Sequence, residues 1–376
     1  MSAPLVSQLT YGYRPMAGGA DAYAEDLHHL LQELGLRSLV FQRPAPGAQG
    51  EDVRFIPNPL ARAPFAFWTQ AAFVPWRYPQ LSRSQAIISH YPPYLLALLG
   101  LRLGRRPPAL VGLSHGVFWD DRPGALRSRA KRALARAAFR LADAYVANDT
   151  HFLREMGLAV APATRLFEQV APGRWFIPCC VDTDCWRPLP PLPELAQLNP
   201  LLVPRHLYYN RGIHLAVQAF ARFLPQHPET HLVIVGARSQ GRYAAYIDYL
   251  VHELRLDGRV VFWGSVPRPQ MPQVYASGRL TLIPSLCGEG TSLSALESMA
   301  CGTAVVTTDV AGLADLPGEK AAPTVPALAA ALEQAYPQRQ ELAARQRAQV
   351  LENYCQPRWQ QGWRAVLAHC GLPTGG

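Results

Sequence analysis

Short apolar runs alternate repeatedly along this chain with longer stretches of helical character. This alternation is typical of parallel β-sheets whose strands are joined by crossover helices. The predicted strands are 6–9, 38–41, 86–89, 110–113, 144–147, 232–235, 260–262, 280–284 and 304–307. The predicted helices are 20–34, 125–140, 213–223, 244–254, 292–300 and 357–369.

The length of the chain and one proline-rich segment predict two domains. Its 376 residues exceed what one hydrophobic core usually supports. The segment Arg187-Pro-Leu-Pro-Pro-Leu-Pro interrupts the alternation, which then resumes. We therefore expect an α/β protein with two doubly wound, Rossmann-like domains, 1–186 and 187–354. Because such sheets bind ligands at the carboxyl ends of their strands, we expect the domains to face a central cleft.

Composition excludes a membrane-spanning or disordered chain. Hydrophobic residues make up 49% of the chain and charged residues 17%, as expected for a folded globular protein. The longest apolar run, 94–101, is too short to cross a bilayer, and the first residues lack the pattern of a signal peptide. These observations predict a cytoplasmic protein and leave contact with the inner face of the membrane open.

The net charge and the cysteines exclude few classes of protein. A formal net charge of +9 suits nucleic acid, anionic lipid or an anionic small-molecule donor, and composition does not choose among them. The odd number of cysteines and the lack of Cys-x-x-Cys spacing argue against zinc or a disulfide framework. We expect small buried side chains at all seven positions. These are Cys179, Cys180, Cys185, Cys287, Cys301, Cys355 and Cys370.

The most informative stretch is 284–308, where a predicted strand runs into a glycine-containing loop and then a helix. Thr291 or Ser292 can cap this helix, and Gly302 lies where helices commonly end. Free backbone amides and the positive end of the helix dipole then form a ready site for a diphosphate.

Two glutamates in this stretch carry a resemblance to a known family. Glu289 in the loop can accept hydrogen bonds from sugar hydroxyls, and Glu297 in the helix can reach ribose hydroxyls. The pair resembles the Glu-x7-Glu signature of glycosyltransferase family 4, in its Glu-Gly-Thr-Ser-Leu variant. The resemblance implies the GT-B architecture and retaining transfer from a nucleotide-diphosphate sugar, with a C-terminal helix, 355–376, completing the N-terminal, acceptor-side domain. The donor-binding loop that it implies consists of Gly290, Thr291, Ser292 and Leu293.

Two arginines match the family's entry into the donor domain. In Pro204-Arg-His-Leu-Tyr-Tyr-Asn-Arg-Gly, Arg205 and Arg211 hold the positions of its two basic residues, and Arg211 replaces the usual lysine. Breaking the sugar–phosphate bond leaves growing negative charge on the diphosphate, which two fixed cations can stabilise without a metal. We therefore predict no metal and no cofactor other than the nucleotide sugar as co-substrate.

The N-terminal half offers fewer matches. Gly18 and Gly19 resemble the family's first glycine loop, in which backbone approaches phosphates closely. Ser114-His115-Gly116 resembles the active-site histidine segment, and this implies that His115 lies over the bound sugar. The front-face displacement described for the family needs no dedicated protein base, so none is assigned. His90, at the end of another strand, is a further acceptor-side candidate.

Other features suggest rival functions. Asp182-Thr-Asp184 has the form of a metal-binding motif, but its surroundings resemble the family's interdomain connection. The arginine-rich stretch 122–140 accompanies no nucleic-acid module, and fits a solvated helix face or contact with anionic lipid. The aromatic patch 65–76 fits either core or a surface for a lipid acceptor.

The final helix has one apolar face suited to packing, formed by Trp359, Trp363, Val366 and Leu367.

The sequence thus predicts a retaining hexosyltransferase that uses a UDP- or GDP-sugar and a saccharide or lipid-linked acceptor, with no nucleic-acid partner. Its predicted catalytic residues are His115, Glu289, Arg205 and Arg211. One alternative is a nucleotide-sugar epimerase or hydrolase on the same fold. The other is a basic nucleic-acid-binding or membrane-binding protein with a vestigial site.

Overall fold

A computed structural model describes residues 3–16, 18–57, 78–119, 124–161, 166–238 and 241–374. It divides into two compact units. The first comprises Met1–Pro178 and Trp359–Gly376, and the second comprises Cys179–Arg358. The proline-rich segment 187–193 lies wholly within the second unit. The patch 65–76 and Arg122 lie outside the described residues.

The first unit is built on a sheet of eight strands in the described part of the chain. These are β1 (Leu5–Leu9), β2 (Arg37–Gln42), β3 (Val53–Phe55), β4 (Ala86–Ser89), β5 (Ala109–Ser114), β6 (Ala144–Ala147), β7 (Glu168–Ala171) and β8 (Arg174–Phe176). Their order is β3-β2-β1-β4-β5-β6-β8-β7, with β7 antiparallel to β8 and the other neighbours parallel. The chain changes direction across the sheet between β1 and β4, as in doubly wound folds.

Helices of the first unit follow the strands in sequence. They are α1 (Gly19–Glu33), α2 (Pro79–Arg83), α3 (Pro92–Ala97), α4 (Leu126–Leu141) and α5 (Thr150–Glu155), with a 3₁₀ turn at Leu99–Leu103. The long helix α1 buries Ala24, Leu27 and Leu31, whose spacing of three and four residues puts them on one face. The basic helix α4 is partly held in place, because Lys131 donates to the Phe118 carbonyl at 2.9 Å.

The second unit has a parallel sheet of six strands within the described residues. They are β9 (Pro200–Val203), β10 (His231–Val235), β11 (Val260–Gly264), β12 (Leu280–Ile283), β13 (Val305–Thr308) and β14 (Glu319–Ala321), in the order β11-β10-β9-β12-β13-β14. Its helices are α6 (Pro193–Ala196), α7 (Ile213–Phe223), α8 (Arg242–Glu253), α9 (Met271–Ser277), α10 (Leu293–Ala300), α11 (Val325–Ala335) and α12 (Arg339–Asn353). Further 3₁₀ turns are Tyr209–Arg211, Arg268–Gln270 and Ala311–Asp315.

Each core follows from the periodicity of its elements. In α7, Ile213, Ala216, Val217 and Phe220 recur every three or four residues and are all buried against the strands. The strand β10, His-Leu-Val-Ile-Val, is buried along almost its whole length, as expected for a parallel strand covered on both faces.

The last helix, α13 (Gln356–His369), returns the chain to the first unit from Trp359 onward. Trp359, Trp363, Val366 and Leu367 are all buried, which confirms the predicted packing face. Among the described residues, none of the helices has the length and apolar character that a bilayer span requires.

The predicted α/β fold is confirmed, and every predicted helix and strand is present with its ends shifted by at most two residues. The expectation for the cysteines is confirmed at three of the seven positions, since Cys179, Cys180 and Cys301 are buried. Cys287, Cys355 and Cys370 are only partly buried, and Cys185 is exposed because it lies in a turn after β8. No disulfide forms among the described residues.

Candidate active site

The candidate residues of the second unit lie where its sheet changes direction. Strands β9 and β12 are neighbours, although several elements separate them in sequence. Arg205 lies two residues beyond the end of β9, and Ser285 lies two residues beyond the end of β12. Doubly wound sheets bind ligands at this point, outside the carboxyl ends of the strands. The topology therefore brings the two predicted motifs, 204–212 and 284–308, together.

Glu289 is the centre of this cluster. It is 4% exposed, and its Oε1 accepts a hydrogen bond of 2.7 Å from the Ser285 hydroxyl. The same oxygen is ion-paired with Nη1 of Arg211 and lies 3.5 Å from Nη2 of Arg205. The two predicted cations thus converge on one carboxylate oxygen.

Arg205 is anchored by the helix that carries the signature. Its Nη2 donates to the Ser292 hydroxyl at 2.7 Å, and its Nη1 donates to the Ser294 hydroxyl at 3.2 Å. Its Nε is buried and has no hydrogen-bond partner within the described residues. This one N–H of the guanidinium therefore lacks an acceptor among the described residues.

Of the two residues predicted to cap α10, Thr291 and Ser292, it is Ser292 that occupies the N-cap position, but its side chain makes no capping hydrogen bond. No amide of the helix donates to its hydroxyl, which accepts from Arg205 instead. At the other end, Gly302 follows the helix with a φ of +85°, as predicted for a C-terminal glycine.

Gly212 fixes the position of Arg211. It adopts a φ of +67°, and a Cβ added there would lie 1.8 Å from the carbonyl oxygen of Pro284. No residue with a side chain fits this close approach. The turn that ends at Arg211 is thereby held against the end of β12, where the Leu286 amide also donates to the Asn210 carbonyl at 2.9 Å.

The cluster retains positive charge. Burial lowers the pKa of Arg205 to about 10. Burial, together with the neighbouring charge of Arg205, lowers the pKa of Arg211 to about 10. Both guanidinium groups therefore stay charged at neutral pH and together outnumber the single carboxylate between them. A surplus positive charge of this kind suits an anionic ligand.

Glu297, on α10, is 8% exposed and is held by two side chains that the sequence did not single out. The Tyr275 hydroxyl donates to its Oε2 at 3.1 Å, and Nη2 of Arg268 lies 3.5 Å from its Oε1. Burial, reinforced by Glu297, raises the pKa of Tyr275, so its hydroxyl stays protonated and can donate.

Ser285, Ser294, Tyr275 and Arg268 are thus site residues that the sequence reasoning missed. Only Ser285 and Ser294, which lie within the stretch 284–308, carried a signal in the sequence. The remaining residues of the predicted donor loop keep their expected places. Gly290 and Thr291 are buried before the helix, and Leu293 is its first residue.

In the first unit, His115 directly follows β5 and is half-buried. Its Nε2 lies 3.0 Å from Nδ1 of His90, which directly follows β4. The rings of Tyr23 and His115 pack nearly perpendicular to each other, with 5.3 Å between their centroids. The structure therefore brings the two histidines named from the sequence into direct contact.

The glycine pair lies at the start of α1. Gly18 is its N-cap residue, with an extended backbone, and Gly19 is its first residue. A Cβ at Gly18 would meet nothing within 4 Å, so packing in the described structure does not require glycine there.

The Asp182–Asp184 segment forms a local turn. Oδ1 of Asp182 accepts from the Asp184 amide at 2.9 Å. Across the described residues, no group of three or more His, Cys, Asp or Glu side chains is arranged to hold a metal ion.

Comparison with known protein families agrees with the family resemblance of the site residues. A model described as glycosyl transferases group 1 matches residues 196–349, and one described as a glycosyl transferase 4-like domain matches residues 18–167. Together they span most of the chain. The chain belongs to the family 4-like glycosyltransferases. The first resemblance, drawn from Glu289 and Glu297, is thereby confirmed.

Curated relatives match this glycosyltransferase over short regions. The phosphatidylinositol N-acetylglucosaminyltransferase gpi3 subunit of Schizosaccharomyces pombe is 32% identical over 116 residues, which are 31% of this chain and 25% of that protein. A D-inositol 3-phosphate glycosyltransferase of Acidothermus cellulolyticus is 37% identical over 109 residues, 27% of this chain and 24% of that protein. The matched region thus spans only about a quarter of these relatives.

Solved structures match the glycosyltransferase over nearly its whole length. Sucrose-phosphate synthase from Thermosynechococcus elongatus has a TM-score of 0.78 at 20% identity, covering 98% of this chain and 97% of that one. Anabaena HepE in complex with UDP and glucose has a TM-score of 0.73 at 17% identity, covering 96% and 99%. At such identities the likeness establishes the GT-B fold, with its two Rossmann-like domains.

Proposed function

We propose that this glycosyltransferase moves a hexosyl unit, with retention of configuration, from a UDP- or GDP-sugar to a saccharide or lipid-linked acceptor. Such a transfer would serve polysaccharide or glycoconjugate biosynthesis. The observation that carries the proposal is the convergence of Arg205 and Arg211 on Glu289 where the second sheet changes direction. HepE, whose fold this chain shares, was crystallised with UDP-glucose, which supports a nucleotide-sugar donor.

In the proposed reaction, the bond between the anomeric carbon and the diphosphate oxygen breaks. The acceptor hydroxyl forms the new bond on the same face of the sugar, and its proton passes to the departing phosphate. Negative charge grows on the diphosphate, and the guanidinium groups of Arg205 and Arg211 stabilise it. Because these cations are fixed in place by neighbouring side chains, we propose that no metal is required.

The other predicted residues divide between the two ends of the donor. Glu297, held by Tyr275 and Arg268, is proposed to accept from the ribose hydroxyls, and the loop 290–293 to contact the phosphates. Glu289 and His115 are proposed to act at the transferred sugar, and Gly18 and Gly19 to let backbone approach the donor.

The proposal assigns one role to each part of the chain. The segment 187–354 would bind the donor, and 1–186 with the helix 355–376 would bind the acceptor. We place the protein in the cytoplasm and keep contact with the inner face of the membrane as a proposal. For such contact, α4 supplies the exposed Arg127 and Arg129.

A thermal-shift screen of UDP, GDP and their hexose derivatives tests this function, because a ligand that binds the native state stabilises it. We expect one nucleotide series to raise Tm, and Arg205→Ala to abolish that rise. Arg222→Ala, which removes an exposed arginine of α7, is the matched control and should keep the rise.

The stabilising donor is then incubated with candidate acceptors, and the products are separated by chromatography. A glycosylated acceptor with retained configuration supports the proposal. Consumption of the donor without any acceptor product would instead identify an epimerase or hydrolase.

A further inference from the structure

Three side chains from neighbouring strands form a hydrogen-bonded row in the first unit. Gln8 lies on β1, and His90 and His115 follow β4 and β5, so all three meet at the carboxyl edge of the sheet. Nε2 of His90 lies 3.0 Å from Oε1 of Gln8, and Nδ1 of His90 lies 3.0 Å from Nε2 of His115. Gln8 and His90 are both almost fully buried. The two imidazole rings stack with 5.2 Å between centroids.

Both imidazoles are neutral around pH 7. Burial lowers the pKa of His115 to about 4, and burial together with His115 lowers that of His90 well below its usual range. A neutral imidazole carries one N–H donor and one acceptor nitrogen. Once the hydrogen-bonding role of Gln8 is known, the protons of His90 and His115 can therefore be placed in only one way.

That arrangement follows from the oxygen of Gln8. A carboxamide oxygen only accepts, so the proton of His90 must lie on Nε2, which leaves its Nδ1 as an acceptor. His115 must then carry its proton on Nε2 and donate it to His90. Nδ1 of His115 is left as an acceptor, and it has no hydrogen-bond partner among the described residues.

We propose that His90, oriented by Gln8, is a positioning residue that holds His115 as the Nε2–H tautomer and so presents Nδ1 as a hydrogen-bond acceptor to a substrate hydroxyl. The inference rests on the proposed action of His115 at the sugar. From the sequence, His90 was an acceptor-side candidate, whereas its buried place behind His115 fits an indirect role. A side chain that is hydrogen-bonded to one ring nitrogen of a histidine commonly determines which tautomer that histidine adopts.

The direct test is the histidine ¹⁵N spectrum of the full chain at pH 7, which distinguishes the two neutral tautomers. We expect protons on Nε2 of both His90 and His115 in the unaltered protein. His90→Phe keeps the stacked ring but removes both nitrogens, so His115 should populate both tautomers. Turnover should then fall about tenfold with donor KM changed less than about twofold, since a misplaced proton affects the reaction more than binding.

Two further variants provide a control and an independent test. His28→Phe removes another buried histidine of the same unit, one bonded to Ser38 at 2.8 Å, and should leave the tautomer of His115 and kcat unchanged. Gln8→Leu removes the orienting oxygen, and should give the same mixed tautomers as His90→Phe. Gln8→Leu therefore tests the proposal even if His90→Phe fails to fold.

A proton on Nδ1 of His115 in the unaltered protein would overturn the proposal. So would a folded His90→Phe variant whose His115 tautomer and kcat match those of the unaltered protein. The function of His115 itself is judged separately, because an unchanged kcat in His115→Phe would refute its action at the sugar whatever the spectra show.

Discussion

Trp363 donates its indole N–H to the Tyr23 hydroxyl at 2.8 Å, and so joins the last helix of the chain to the first. Trp359 packs against the same tyrosine ring with 5.3 Å between centroids. Both tryptophans are buried, and both belong to the same unit as α1. The last helix is therefore an integral part of the first unit's core.

Removing either indole should destabilise the protein strongly. We expect Trp359→Ala and Trp363→Ala each to lower the free energy of unfolding by about 3 kcal/mol or more, because each leaves a cavity. Tyr23→Phe should cost about 1 kcal/mol, since it leaves the Trp363 N–H unpaired. Urea unfolding measures these changes, with Leu103→Ala, at a side chain 93% exposed, as a control that should stay within about 0.5 kcal/mol. A chain shortened after Tyr354 that kept its Tm and activity would contradict this expectation.

Glu297→Ala should weaken binding of the donor nucleotide about tenfold, because the variant loses a carboxylate proposed to accept from the ribose hydroxyls. Tyr275→Phe should act in the same direction but less strongly, since Glu297 stays and loses only one orienting bond. Titration calorimetry with the nucleoside diphosphate gives both constants. Glu253→Ala, at an exposed end of α8, should bind as tightly as the unaltered protein. Equal affinity in all four proteins would refute the assigned site.

Glu289→Ala and His115→Ala should chiefly slow turnover, with kcat reduced roughly a hundredfold and donor KM changed only a few-fold. The reason is that both residues are proposed to act at the sugar, whereas most of the donor's binding comes from the nucleotide. Steady-state kinetics separates the two constants. Glu341→Ala, at an exposed position of α12, serves as the control. Unaltered kcat in both folded variants would remove them from the reaction.

Transfer should persist in excess chelator, because Arg205 and Arg211 supply the positive charge that the departing diphosphate needs. The measurement is initial rate after dialysis against EDTA, with and without added manganese or magnesium. Loss of activity that either ion restores would overturn this expectation. It would also return attention to Asp182 and Asp184.

The stability of the protein should fall in mild acid because of His115. Its folded pKa of about 4 lies below the ordinary value of 6.5, so the unfolded chain binds the proton more tightly. The free energy of unfolding should therefore decrease as pH falls from 6.5 to about 4, by up to about 3 kcal/mol from this group. Other groups titrate in the same range, so the comparison is with His115→Phe, whose stability should fall less. Parallel pH profiles for the two proteins would contradict the assignment.

The sequence predicted those parts of the fold that have a strong local pattern. Helix α7, with its apolar residues three and four apart, was predicted with its observed ends. The strands β3 and β8 have only three residues each, too few to show a period of two, and neither was predicted. Helix α12 was missed as well, because it buries few of its residues and its apolar stripe is faint.

The candidate site was likewise predictable only in part. Arg205, Arg211 and Glu289 were named from their motifs, but their meeting at one oxygen joins residues 78 positions apart and depends on the order of the strands. Nothing in the local pattern assigned the Ser292 hydroxyl to Arg205 rather than to its own helix. The roles given to these residues stay predictions until the variants are measured.

The return of the last helix to the first unit also constrains how the protein is made on the ribosome. The first unit needs residues from Trp359 onward, yet the whole second unit, Cys179–Arg358, lies between its two parts. At roughly 5–20 residues per second, synthesis of the intervening segment takes on the order of ten to forty seconds. During that interval the surface that Trp359 and Trp363 will cover is exposed on the nascent chain. The second unit, although it emerges later, is the first to have its complete sequence available for folding.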